Sequence, residues 1–197
     1  MASAETPITF LRNDYTAPAF LVDRVDLDIA LNPARTIVVN RMHMKRNTSN
    51  PTWPLVLHGE EQELISVRVN GEIITEYELT SESLTLNNLP DAFELSITSA
   101  CAPEKNTSLM GLYVSNGNFF TQCEAEGFRK ISYFLDRPDV MATYQVTLRA
   151  LKAQFPVLLS NGNLIKEEEL GNGWHSAVWQ DPFPKPSYLF ALVAGKL

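Results

Sequence analysis

Apolar side chains recur at every second residue in short runs along this chain, and turn-forming residues cut the runs about every ten positions. Val25, Leu27, Ile29 and Leu31 alternate with Asp26, Asp28 and Ala30, the pattern of a strand with one wet face. After a turn at Asn32-Pro33-Ala34, residues 36–45 repeat it, with Ile37 and Val39 on one face and Val38, Met42 and Met44 on the other. Residues 65–69 run into Asn70-Gly71, the dipeptide that best tolerates the two positive φ angles of a type I′ turn, and Ile73-Ile74 completes a hairpin. Similar runs follow at 83–86, 93–99, 144–151, 156–159, 174–180 and 188–194, with Asn, Gly, Asp and Pro clusters between them. One helical turn is predicted, at Asp136-Arg137-Pro138, where Asp136 would cap and Pro138 would sit in the first turn. The pattern predicts an all-β fold with very little helix, an antiparallel two-sheet sandwich or a saddle-like pair of curved sheets. At 197 residues this is one domain, residues 21–197, with residues 1–20 laid over it as an N-terminal arm.

The remaining composition excludes function classes. Sixteen Lys and Arg against twenty-three Asp and Glu leave a net charge of −7, a field that repels phosphate backbones, so no nucleic-acid partner is expected. The longest apolar run, residues 188–195, falls well short of the roughly 20 residues of a membrane-spanning helix, and no membrane partner is expected. The start has no basic and apolar segments of a secretory signal, and Cys101 and Cys123 are too few for a disulfide scaffold. Reduced thiols and a cytoplasmic location follow. His43, His58 and His175 have no zinc-motif spacing, no phosphate-binding glycine run or nucleophile elbow occurs, and Cys123 has no base beside it in sequence.

Residues 120–140 differ in kind: Gln122, Glu124, Glu126, Arg129, Asp136 and Arg137 crowd an aromatic, strand-like stretch. If residues 121–126 are extended, Gln122, Glu124 and Glu126 share one side, and clustered carboxylates favour a cation between them. A solvated strand face and a structural Arg129–Asp136 ion pair account for the same residues without any ligand.

The run Thr-Gln-Cys-Glu-Ala-Glu-Gly-Phe-Arg at 121–129 opens a series of four ordered blocks. Tyr-Phe-Leu-Asp-Arg-Pro-Asp-Val at 133–140 and Phe-Pro-Val-Leu-Leu-Ser-Asn-Gly-Asn at 155–163 follow, and then the stretch from Trp179 through Gly195. Together they resemble the amino-terminal domain of bacterial aminopeptidase N, the alanyl aminopeptidase of the gluzincin zinc aminopeptidase family. Looser similarity at 13–18 and 57–60 extends it over nearly the whole chain. Ser187, where the family carries Cys, and residues 116–120 depart from the pattern.

The resemblance implies a β-rich domain that precedes a thermolysin-like catalytic domain, so this chain is expected to be an amino-terminal fragment. The family's H-E-x-x-H and G-A-M-E-N motifs do not occur in it. The expected activity of the full-length protein is zinc-dependent release of N-terminal amino acids from peptides with a free amino terminus. The fragment alone is expected to be inactive, to hold no catalytic residue and to bind no zinc, its partner being the catalytic domain in cis. Glu124 falls on the family position that binds the substrate α-amino group, and Gln122 on its neighbour in the first subsite. Glu126, Arg129 and Asp136 are assigned to bracing that loop. Two other readings remain at this stage: a stand-alone β-sandwich binding module, and an unrelated sandwich that takes carbohydrate or peptide on Trp53 and Trp174.

Overall fold

The computed structural model describes residues 11–49 and 52–197, so the first half of the predicted arm lies outside the described residues. In chain order the strands are β1 Phe20–Ala30, β2 Thr36–Arg46, β3 Leu55–His58, β4 Glu63–Val69, β5 Glu72–Ile74, β6 Glu78–Leu79, β7 Ser83–Leu86 and β8 Ala92–Cys101. They continue as β9 Gly111–Ser115, β10 Asn118–Gln122, β11 Ala142–Leu151, β12 Val157–Ser160, β13 Asn163–Gly171, β14 Trp174–Lys185 and β15 Leu192–Gly195. The all-β expectation holds, but the strands form three sheets. An eight-stranded sheet has the order β13-β14-β11-β1-β2-β8-β4-β5, a four-stranded one β12-β15-β10-β9, and a three-stranded one β3-β7-β6.

Alternation places the core. Val25, Leu27 and Ile29 of β1 and Val38, Met42 and Met44 of β2 are buried, while Asp26, Asp28, Ile37 and Val39 on the other face are half-exposed. Asn70 and Gly71 take φ of 50° and 86°, and Val69 pairs with Glu72 across the predicted hairpin. Asn32 folds its side chain back on the backbone N–H groups of Ala34 and Arg35, which fixes the first turn.

The pairing of β1 with β11 is parallel, from Arg24 opposite Thr143 to Ala30 opposite Arg149. Parallel neighbours cannot be joined by a tight turn, so the chain between them builds the other sheets before returning. One contiguous core joins all three sheets. In it Phe119 lies 4.9 Å from Phe155, and Phe128 packs edge-on against Phe134, Tyr144 and Phe190.

Three expectations need correction. The segment at Asp136 forms no helix; residues 138–139 make a turn, and the Asp136 carboxylate is drawn inward by Arg129 and Ser187 instead of capping. The run at 188–194 is not one strand: a single 3₁₀ turn, Ser187–Leu189, precedes β15. The strands β3, β6, β9 and β13 appear where no strand was predicted, and β10 overlaps only the start of the 121–126 stretch considered as extended. No helix of the described residues is long and apolar enough to cross a membrane.

Candidate functional site

The segment that the sequence singled out lies at the end of β10. The expected extended stretch stops at Gln122, and the chain turns through residues 124–127. The three acidic and amide side chains are therefore not aligned by strand alternation, as predicted; a turn carries two of them. The Glu124–Ala125 peptide is cis.

Buried anchors hold the turn on both sides. Gln122 pairs with Gly111 of β9, and Cys123, whose thiol burial pushes its pKa up, sits 3% exposed in the core. On the far side the Gly127 N–H donates to the Cys123 carbonyl at 2.8 Å. A Cβ on Gly127 would stand 2.2 Å from the Gln122 carbonyl oxygen and 2.8 Å from Cys123 Cα, so only glycine permits this approach. The fully buried Phe128 ring then locks the next residue into the aromatic cluster.

Arg129 ties the turn to the rest of the molecule. Its Nε donates to Asp136 Oδ2 at 3.0 Å, its backbone N–H donates to the same oxygen at 3.1 Å, and its Nη2 donates to the Asp136 carbonyl at 3.1 Å. Glu126 Oε1 lies 3.1 Å from Nη2, and Glu60 Oε1 lies 3.7 Å from Nη1. The other Asp136 oxygen accepts from the Ser187 hydroxyl at 2.5 Å. The Asp136 side chain is 1% exposed and that of Arg129 13%, so this is a buried, fully hydrogen-bonded ion pair rather than a surface one.

A second strap comes from β3. The Asp136 backbone N–H donates to His58 Nδ1 at 3.3 Å, and His58 and Phe134 exchange backbone hydrogen bonds of 2.8 and 3.0 Å. Burial and then the Arg129 guanidinium lower the His58 pKa, which favours the neutral ring whose Nδ1 accepts. The Arg129 carbonyl accepts from Gln62 Nε2 at 2.7 Å and from the Glu60 N–H at 3.0 Å.

The structure thus brings Glu126, Arg129 and Asp136 together as one network and leaves Gln122 and Glu124 outside it. Both of these are exposed, and Gln122 Nε2 donates to the Glu124 carbonyl at 3.2 Å. Among the described residues nothing ion-pairs or hydrogen-bonds with the Glu124 carboxylate. It is an acceptor held outward on a braced turn, and the chemistry it offers is the binding of a cation. No group of three or more His, Cys, Asp or Glu among the described residues is placed to hold a metal ion, and no step through zinc is assigned to these residues. A recess of about 660 Å³ is lined by Ile73, Tyr77, Glu78 and neighbours and by none of these residues.

Sequence reasoning missed Ser187, Gln62 and the role of His58 and Glu60. Their only signals were the departure at 187 and the loose similarity at 57–60.

Residues 21–189 match the Peptidase M1 N-terminal domain family, and the chain belongs to that family. It is 45% identical over 191 residues to aminopeptidase N of Escherichia coli, covering 97% of this chain and 22% of that protein. It is 48% identical over 187 residues to aminopeptidase N of Haemophilus influenzae, covering 93% and 21%. Aminopeptidase A of Legionella pneumophila, solved with aspartic acid, superposes with a TM-score of 0.88 at 42% identity over 94% of this chain and 22% of that one. An M1 zinc metallopeptidase of Deinococcus radiodurans bound to a Tyr-Ser-Ala substrate shares the fold, with a TM-score of 0.78 at 19% identity over 90% and 42%. The chain therefore spans about a fifth of the length of the aminopeptidases N it matches.

Proposed function

We propose that this member of the Peptidase M1 N-terminal domain family works as the N-terminal domain of a zinc aminopeptidase and supplies half of the anchor for the substrate's free amino terminus. The observation that carries the reading is the Glu124 carboxylate, without a partner among the described residues and exposed on a turn that a buried Arg129–Asp136–Ser187 network holds in place. The names of the relatives support the class of reaction.

The physical logic is that of a ruler. An α-amino group has a pKa of about 8, so near neutrality much of it is ammonium, which a desolvated carboxylate binds and a blocked amine does not offer. Holding the ammonium at Glu124, with Gln122 beside the first side chain, fixes how far the first peptide bond lies from the hydrolytic centre. Cleavage then removes one residue at a time. Glu124 is exposed in this chain, so its desolvation requires a second surface, the catalytic domain in cis, where the zinc would also reside. By itself the chain is proposed to hydrolyse nothing. Two buried cysteines without a disulfide support a cytoplasmic setting.

The test is to join this chain to the remaining part of Escherichia coli aminopeptidase N in place of its own matching region, and to compare Glu124→Gln and Gln122→Ala with the parent fusion. Hydrolysis of free-amino substrates should fall steeply for Glu124→Gln and modestly for Gln122→Ala. Unchanged kinetics for Glu124→Gln would sink the reading.

A further inference from the structure

Between the outer edges of two sheets the surface is open and acidic. β5 ends the eight-stranded sheet and β6 ends the three-stranded one, so neither has a partner on its outer side among the described residues. The chain between them, Thr75-Glu76-Tyr77, makes no backbone hydrogen bond among the described residues. Residues 72–79 therefore offer unpaired N–H and C=O groups along one edge, and on this run Ile73, Tyr77 and Leu79 are 61%, 38% and 48% exposed. A recess of about 660 Å³ lies beside the run, and one of about 370 Å³ shares Ile74, Asn87 and Asn88 with it. The floor is apolar, with Val69 and Leu86 buried and Leu89 half-buried. The rim is not: Glu72, Glu76 and Glu78 are exposed, and none of them is ion-paired among the described residues. Residues 69–104 hold no Lys or Arg. The bases that flank the groove are engaged elsewhere. Arg68 stands opposite Ile73, on the face away from Glu72, and donates to the Gly71 carbonyl. Arg46 is held by Asp91 and by the carbonyls of Trp53 and Leu89.

We propose that this groove binds an extended peptide segment carrying Lys or Arg at alternate positions, laid as an added strand along residues 72–79. The binding does not depend on the Glu124 reading. Three observations choose the occupant. Charge complementarity sets its sign: three unpaired carboxylates with no base free to answer them call for a cationic partner. The spacing sets its form, because Glu76 and Glu78 stand two residues apart, the repeat at which an extended chain presents side chains on one side. The open edge sets its backbone. A polyamine would answer the carboxylates but has no carbonyl for the unpaired N–H groups of residues 75–77, whereas a peptide brings both donors and acceptors. The Asn87 and Asn88 amides, which make no hydrogen bond among the described residues, line the groove, and the exposed Tyr77 ring offers a face to an ammonium or guanidinium group.

The test is calorimetric titration of this chain, and of its fusion to the rest of Escherichia coli aminopeptidase N, with the peptide Ac-Lys-Leu-Lys-Leu-Lys-amide. Amide chemical shifts and hydrogen exchange of the chain locate the contact. The acetyl cap removes the α-ammonium, so Glu124→Gln should bind the peptide as tightly as the parent. Both proteins should bind it, and the amides of Thr75, Glu76 and Tyr77 should shift and become protected from exchange as the added strand pairs with them. Affinity should fall by about tenfold between about 50 and about 500 mM NaCl, as for an exposed charged contact. The double variant Glu76→Lys, Glu78→Lys should bind about tenfold more weakly with an unchanged melting temperature, because both positions are exposed and unpaired. No binding overturns the proposal, as does equal binding of Ac-Glu-Leu-Glu-Leu-Glu-amide or full affinity in the double variant. Spermine binding as tightly as the peptide, with no protection of residues 75–77, overturns it in favour of a polycation site. Binding to the chain that is lost in the fusion overturns it in favour of a surface covered within the longer polypeptide. Weakened binding in Glu124→Gln moves the contact to the Glu124 turn and overturns it as well.

Discussion

Replacing Asp136 by Ala should destabilise this protein by about 3–5 kcal/mol, the loss expected when one partner is removed from a buried ion pair. The structure sets the magnitude. The carboxylate is 1% exposed and accepts from Arg129 Nε, from the Arg129 backbone N–H and from the Ser187 hydroxyl, so its removal orphans three donors and a guanidinium that is 13% exposed. The remaining acids cannot compensate. Glu126 is 66% exposed, and Glu60 lies 3.7 Å away, so each is worth about 0–1 kcal/mol after screening. Urea unfolding followed by tryptophan fluorescence and circular dichroism measures the change, and the melting temperature should fall by roughly 6–20 °C. Glu63→Ala is the control, because the Arg35–Glu63 pair at 2.9 Å is 52% and 62% exposed and should cost under about 1 kcal/mol. A loss below about 1 kcal/mol for Asp136→Ala, or an equal loss in the control, would refute the reasoning that burial gives this pair its weight.

Gly127→Ala places a Cβ 2.2 Å from the Gln122 carbonyl oxygen, and since backbone must move, it should cost about 1–3 kcal/mol in the same unfolding assay. The folded-state pKa of His58 is lowered, so its contribution to stability is complete above the unfolded value of about 6.5 and is lost as pH falls from there through the folded value. His58→Gln should flatten the stability profile across that window, and a profile identical to wild type would contradict the assignment. Burial raises the Cys101 thiol pKa to about 12 and pushes that of Cys123 higher. Iodoacetamide should therefore label neither at mildly alkaline pH until urea unfolds the chain, and rapid native labelling would contradict the packing.

What the sequence made legible follows from how many neighbours decide each element. β1 and β2 have one face in the core and one against water, so a local period of two shows them. β9 and β10 hid because Leu112, Tyr113, Phe119 and Phe120 put apolar side chains on both faces and erase the period. Their turn is nonetheless the same Asn-Gly pair, with Asn116 and Gly117 at φ of 49° and 77°. β13 is exposed at every residue, and its Lys-Glu-Glu-Glu run has the composition of a loop; pairing with β14 makes it an edge strand. Asp136 carries the signature of a helix cap, yet its partner Ser187 lies 51 residues away, where no local rule reaches. Gln122 and Glu124 were singled out only through resemblance to a family. Spacing alone aligned them with Glu126 on a strand face that the turn after Gln122 does not provide.

The central claim is that Glu124 binds the α-ammonium of the substrate, and inhibitor binding tests it most directly. In the fusion enzyme, the affinity of an amino acid amide is compared with that of its analogue lacking the amino group, for Glu124 and for Glu124→Gln. With Glu124 present the amino group should be worth about 2–4 kcal/mol, and with Gln that difference should shrink toward zero. An amino group worth the same in both enzymes would contradict the account.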